Sequence, residues 1–163
     1  MQITSENVIV VTGFLHQELM NELENLPIQF AQNSDWADGM GSSIQTGINF
    51  LLDQKNAAQI DAVLFLLSDQ PLVNSTHLSQ LIHQFYLDKN SIIVASGYNG
   101  TQGVPAVFDK SLFPILQQLS GNGGAGSLFK KFQTNLTTVP FEKAAIDIDT
   151  EEDYKRLTDH MED

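Results

Sequence analysis

Along this chain, short apolar runs closed by glycine, proline or a polar turn alternate with stretches whose apolar residues recur every three or four positions. VIVVTG (8–13) reads as a buried strand closed by Gly13. From Phe14 to Leu26 the residues Leu15, Leu19, Leu23 and Leu26 fall at helical spacing, and Pro27 ends that helix. IQFAQN (28–33) predicts a second, weaker strand. A Gly39-Met40-Gly41 turn then leads to Ser42 or Ser43 as helix cap, with Ile44, Ile48, Leu51 and Leu52 on one face. AVLFLL (62–67) is the strongest strand signal and is apolar on both faces, as central parallel strands are. A helix over 76–87, a strand SIIVAS (91–96), a glycine-rich turn (97–103) and a strand VPAVFD (104–109) follow. Beyond them the pattern predicts a short helix over 111–119, a loop SGNGGAG (120–126) opening a helix to Phe132, and strands LTTVPF (136–141) and AIDI (145–148). Thr150 caps a last helix whose first turn holds Glu151, Glu152 and Asp153, where the helix dipole favours acids.

Strands alternating with helices imply right-handed β-α-β crossovers. The expected fold class is α/β, a three-layer Rossmann-like, mostly parallel sheet in a single domain over 1–163. In such sheets ligands bind at the carboxyl ends of the strands. Composition narrows what those ligands are. With 8 Lys+Arg against 20 Asp+Glu, the net charge of −12 excludes the basic footprint that a nucleic-acid polymer requires. A nucleotide carried with Mg²⁺ is compatible with that charge, because a metal bridges acidic protein to acidic ligand. The absence of cysteine excludes disulfides, thiolate zinc sites and a cysteine nucleophile. No apolar run approaches 18 residues and the start lacks a basic signal region, so a soluble cytoplasmic protein with no membrane partner is expected.

Among candidate sites, Asp69 stands first, at the abrupt end of the apolar run in LFLLSDQPLV (64–73). It either begins the turn that Pro71 helps define or serves as a ligand for Mg²⁺, a hard cation that prefers carboxylate oxygens. The second acidic cluster is DIDTEEDY (147–154), which also carries an ordinary helix-start signature with Thr150 as cap. Asp147 and Asp149 alternate along the strand AIDI, so at most one of them is expected to face the side that Asp69 faces. GMGSS (39–43) and GNGGAG (121–126) are glycine segments of the kind that offer backbone N–H groups to anions, and neither matches a Walker or dinucleotide fingerprint. His16, His77, His83 and His160 are expected on solvated helix faces, and Trp36 in the core.

Five motifs occur in order: D-W-x-x-G-M-x-S-S-I-x-x-G (35–47), L-x-D-Q-P-L-V (67–73), G-x-P-x-x-F-x-x-x-L-F-P-x-L (103–116), S-G-x-x-G-A (120–125) and D-I-D-T-x-E-D-Y (147–154). Together they resemble the MobA-like nucleotidyltransferases, most closely the molybdenum-cofactor cytidylyltransferase branch. The resemblance implies a nucleotide-diphospho-sugar transferase-like fold. It implies transfer of CMP or GMP from CTP or GTP to a molybdopterin-type phosphorylated acceptor, releasing pyrophosphate with Mg²⁺. By the same resemblance Asp69 and Asp149, and with them Asp147, are the metal ligands. Gly41, Ser42 and Ser43 would lie along the nucleotide, and Gly103, Pro105, Gly121 and Gly124 on the acceptor side.

The chain also departs from that family. It has no N-terminal signature loop of the form L-A-A-G-x-S-x-R-M-G-x-x-K, so it is expected to lack the first strand and the triphosphate clamp, roughly 35 residues of a typical member. Three lost charge-assisted contacts at about 1.5–3 kcal/mol each would slow the reaction by roughly three to six decades. A poor catalyst, a non-catalytic nucleotide- or partner-binding remnant, and a transferase with another phosphorylated acceptor are all open. A homodimer that covers a vacated strand edge is a further expectation. Val104 stands where the branch commonly has histidine, and Asn122 and Gly123 stand where it usually has an aspartate and a lysine.

Overall fold

The structure is a computed structural model that describes residues 8–121 and 124–159. In chain order its regular elements are strand β1 (Ile9–Thr12), helix α1 (His16–Glu22), β2 (Gln29–Gln32), α2 (Met40–Leu52), β3 (Ala62–Phe65), α3 (Ser75–Leu87), β4 (Ile93–Tyr98) and β5 (Thr101–Asp109). They are followed by α4 (Phe113–Leu116), α5 (Gly126–Lys131), β6 (Leu136–Pro140) and α6 (Glu151–Asp159). The chain forms two compact units. One takes in the residues up to Asp61 together with Lys110–Leu128; the other takes in Ala62–Asp109 and the chain from Phe129 on.

In the first unit β1 and β2 pair in parallel, Ile9 opposite Gln29 through Thr12 opposite Gln32, with α1 as the crossover. Helix α2 seats Ile44 and Ile48 against this ribbon, and Gly47 lets it approach Val11. Leu112, Phe113 and Leu116 complete the buried face. Two expectations change here. The helix expected over 14–26 runs only from His16 to Glu22 and buries none of its residues; Leu15, Leu19 and Leu26 are exposed. The cap of α2 is Gly39, at φ 99°, rather than Ser42 or Ser43, which lie inside the helix. A left-handed φ at this position suits glycine.

In the second unit four strands pair in the order β3-β5-β4-β6. β4 and β6 are parallel, but β5 is antiparallel to both of its neighbours. The sheet is therefore mixed, and β3 pairs only with the antiparallel β5 among the described residues, so it is not the central parallel strand its sequence suggests. Its four residues are all half-buried, and Leu66 beyond them is exposed. The antiparallel turn of chain is a hairpin through Asn99 (φ 50°) and Gly100 (φ 70°), the two left-handed residues that a tight two-residue β-turn demands. Leu81, Phe85, Val94 and Val107 form the core between α3 and the sheet. AIDI is not a strand: residues 142–145 form a 3₁₀ turn and 146–150 are irregular.

Candidate functional site

Asp69 and Gln70 sit in the turn that carries the chain from the carboxyl end of β3 towards α3. The backbone carbonyl of Asp69 accepts a hydrogen bond from the Ile148 N–H at 2.8 Å. Ile148 separates Asp147 from Asp149, so this one bond brings the D-Q-P turn alongside the second acidic motif. The carboxylate oxygen Oδ1 of Asp69 is buried and has no hydrogen-bond partner. Buried polar atoms without partners are rare, because the unmade bond costs about 1–3 kcal/mol and more for a charged group.

Electrostatics agree with this placement. Partial burial, then the charges of Asp69 and of Asp149, push the Asp147 carboxyl above its ordinary range, against the opposing pull of the Gln70 side chain. Two carboxylates that raise the proton affinity of a third make a place that suits a cation. Among the described residues no set of three or more His, Asp or Glu side chains is close enough to enclose a metal by itself. That suits Mg²⁺ and similar hard ions, which take one or two protein carboxylates and complete their shell with water and substrate phosphate. Asp69 with one of Asp147 and Asp149 would suit such an ion; the three do not enclose one together.

Gly103 and Pro105, both buried, lie in β5 beside this turn. A Cβ at Gly103 would collide with the Tyr98 ring and hydroxyl, so a larger residue there would require Tyr98 to shift. Tyr98 donates its hydroxyl to the Val104 carbonyl at 3.3 Å. Burial first, and the Asp147 charge after it, push the Tyr98 hydroxyl above its usual pKa, against the opposing pull of the Gln70 side chain.

The remaining predicted residues belong to the first unit. Gly41 meets the backbone of Ser120, where an added Cβ would stand 2.8 Å from the Ser120 carbonyl carbon. Gly124, at φ 47°, packs on Met40. The structure therefore brings Gly41 against Ser120 and Met40 against Gly124. Ser42 is buried and its hydroxyl is fully engaged: it accepts from Asn33 Nδ2 at 2.9 Å and faces the Asp35 and Gly39 carbonyls at 2.8 and 2.9 Å. Ser43 accepts from the same Asn33 amide at 3.1 Å. Asn122 and Gly123 lie outside the described residues.

Two side chains are not where the sequence led one to expect them. His77 is buried, its Nε2–H donating to Ser96 Oγ at 2.7 Å while Ser96 donates on to the Pro105 carbonyl at 2.7 Å. Its ring stacks on Phe141 with centroids 4.0 Å apart. Trp36, expected in the core, is about half exposed and tilts against exposed Phe14. His83 is exposed as expected, half-buried His16 bonds Thr12 Oγ1, and His160 lies outside the described residues. An open groove along α3 and β6, lined by Ser79, Gln80, His83 and Val139, contains none of the predicted residues. The sequence reading passed over Asn33, Gln70 and Tyr98. Their only signal was a polar or aromatic residue next to a motif glycine, serine or aspartate.

Comparison with known proteins gives the class and then the family. The fold is that of nucleotidyltransferases: the structure matches 4-diphosphocytidyl-2C-methyl-D-erythritol synthase from Anaerococcus prevotii with a TM-score of 0.73, at 16% identity, over 97% of this chain and 79% of that one. It also matches Rv0371c from Mycobacterium tuberculosis H37Rv in complex with manganese, with a TM-score of 0.67 at 19% identity over 93% and 77% of the two chains. The chain belongs to the MobA-like NTP transferase family, whose domain matches residues 2–137. A curated relative, the nicotine blue oxidoreductase of Paenarthrobacter nicotinovorans, is 27% identical over 157 residues, covering 92% of this chain and 74% of that protein. Among the described residues no helix is long and apolar enough to cross a membrane.

Proposed function

We propose that this chain is a divalent-metal-dependent nucleotidyltransferase that transfers CMP or GMP from CTP or GTP to a molybdopterin-type phosphorylated acceptor and releases pyrophosphate. The observation that carries the reading is the buried, unpartnered Asp69 carboxylate oxygen, tied through the Ile148 N–H to the Asp147 and Asp149 carboxylates. Asp69, with Asp149 or Asp147, would hold the metal, water and substrate phosphate completing its shell. A divalent ion bound there would neutralise phosphate charge, the largest electrostatic demand of phosphoryl-type transfer. The chain's own part is orientation: the D-Q-P turn fixes the metal side, and Gly103 and Pro105 shape the acceptor side. The five ordered motifs support the molybdopterin-type acceptor; the acidic rim would serve any phosphorylated one.

The test is pyrophosphate release from CTP or GTP by the purified chain with Mg²⁺ and a molybdopterin acceptor, against Asp69→Asn. Release that depends on acceptor and metal, and disappears in Asp69→Asn, supports the reading. Release with another phosphorylated acceptor alone corrects the acceptor. Binding of nucleotide and metal without turnover overturns catalysis and leaves a nucleotide-binding protein. The likeness to nicotine blue oxidoreductase favours a second, redox reading, and turnover of nicotine blue without any nucleoside triphosphate would select it.

A further inference from the structure

We propose that Gln70 is a positioning residue for the cation site: its side chain clamps the segment that carries Asp147 and Asp149 against the Asp69 turn and so sets the separation of the carboxylates. The inference rests on the metal reading above and adds to it the residue on which the geometry depends. Gln70 is 6% exposed, far more buried than the polar residues around it. Its Nε2 donates to the Ala144 carbonyl at 2.7 Å and to the Val104 carbonyl at 3.2 Å. The Ala144 bond and the bond from Ile148 N–H to the Asp69 carbonyl form two rungs four residues apart on the same segment. Consecutive residues of the D-Q-P turn hold both. The segment between and after these rungs has no strand pairing of its own, being a 3₁₀ turn followed by irregular chain. Without the Gln70 rung, among the described residues, the Ile148 bond alone would then tie this segment to the Asp69 backbone.

The chemistry selects glutamine. Both acceptors are carbonyls, so the nitrogen must face them and the amide orientation is fixed. That leaves Oε1 buried without a donor, a cost the fold retains at this position. The same amide lies beside the Asp147 carboxylate and the Tyr98 hydroxyl. A glutamate would set a carboxylate against two carbonyls and a neighbouring aspartate. A methionine would fill the volume and make neither bond. The second bond, to Val104, extends the clamp to the strand residues between Gly103 and Pro105, so one side chain ties the metal side to the acceptor side.

Mn²⁺ titration of the full chain, followed by the electron paramagnetic resonance of the free ion, tests this together with amide hydrogen exchange. In Gln70→Met, Mn²⁺ affinity should fall by about 10- to 100-fold, the usual effect of removing a residue that orients metal ligands. Exchange of the Ile148 amide should accelerate while that of the core residue Val94 keeps its wild-type protection. A general loss of stability would speed both. In the wild-type chain, the buried Gln70 side-chain NH₂ resonances should shift on saturation with Mg²⁺, a reading that stands even if Gln70→Met does not fold. Wild-type affinity in Gln70→Met, or resonances that ignore Mg²⁺, would overturn the role of Gln70 while the cation site survives. No saturable Mn²⁺ binding by the wild-type chain would overturn the cation site and this inference together.

Discussion

The acidic turn of the second unit and the glycine segments of the first are both rich in polar groups, yet they differ in what they leave unsatisfied. Around α2, Asn33 serves Ser42 and Ser43 with one amide, and the Ser42 hydroxyl answers to Asn33, Asp35 and Gly39. Every one of those bonds is internal. At the D-Q-P turn, Asp69 Oδ1 and Gln70 Oε1 are buried and unmatched, and three carboxylates share one neighbourhood. The contrast shows how to separate scaffold from site when both carry motif residues: a satisfied network holds the fold, and an unsatisfied one awaits a ligand.

The largest effect should come from Asp69→Asn. Exchanging one anionic ligand for an amide should weaken Mn²⁺ binding on the order of 100-fold, or about 2.8 kcal/mol at 1.4 kcal/mol per decade. In metal-free protein the same change relieves the repulsion on Asp147, so the thermal midpoint should hold or rise. A fall in the midpoint, with affinity intact, would make Asp69 part of the scaffold and break the comparison.

The sequence carried the acidic chemistry but not its setting. Asp69, Asp147 and Asp149 lie in one neighbourhood, yet the segment expected as a strand is irregular, which removes the alternation that would have turned Asp147 and Asp149 to opposite faces. Local apolar spacing cannot register a bond such as Ile148 N–H to Asp69, 79 residues apart in sequence number (148 − 69). The antiparallel β5 was hidden for a related reason. Thr101-Gln102-Gly103 is too polar to read as strand, and Asn99-Gly100, a strong hairpin pair, sits within a stretch where every third residue is glycine. For α1 the period was right and the conclusion wrong, since spacing shows which residues share a face and not what covers that face.

Gly41→Ala probes the opposite region. Its new Cβ would stand within 2.9 Å of three Ser120 backbone atoms, which cannot swing aside as a side chain tip can. Overpacking of this kind costs about 1–3 kcal/mol, and a chain of this size loses roughly 2–4 °C of thermal midpoint per kcal/mol. Calorimetry should find that loss in the absence of any ligand. An unchanged midpoint would show that the two glycine segments are not in the contact described here, and the first unit would then no longer count as scaffold.

The smallest effect is a pH dependence in the second unit's core. Burial holds the His77 pKa below its ordinary 6.5, outweighing the neighbouring Gln80, which makes no hydrogen bond to the buried, unpartnered Nδ1. The folded chain therefore binds the proton less readily than the unfolded chain, whose histidine keeps its ordinary value. The His77 contribution is whole above about pH 6.5 and is lost as pH falls from there through the lowered folded value, because only the unfolded state gains the proton in that window. Asp147, whose carboxyl is raised, and the other three histidines are common to both proteins, so the difference between wild type and His77→Gln in urea unfolding from pH 7 to 5.5 reads His77. Wild type should lose more stability over that range than His77→Gln, which keeps a donor for Ser96, has no titrating nitrogen and should be less stable at pH 7. Equal slopes in the two proteins would mean that His77 is not the buried neutral imidazole that bonds Ser96, and that this core is no better satisfied than the acidic turn.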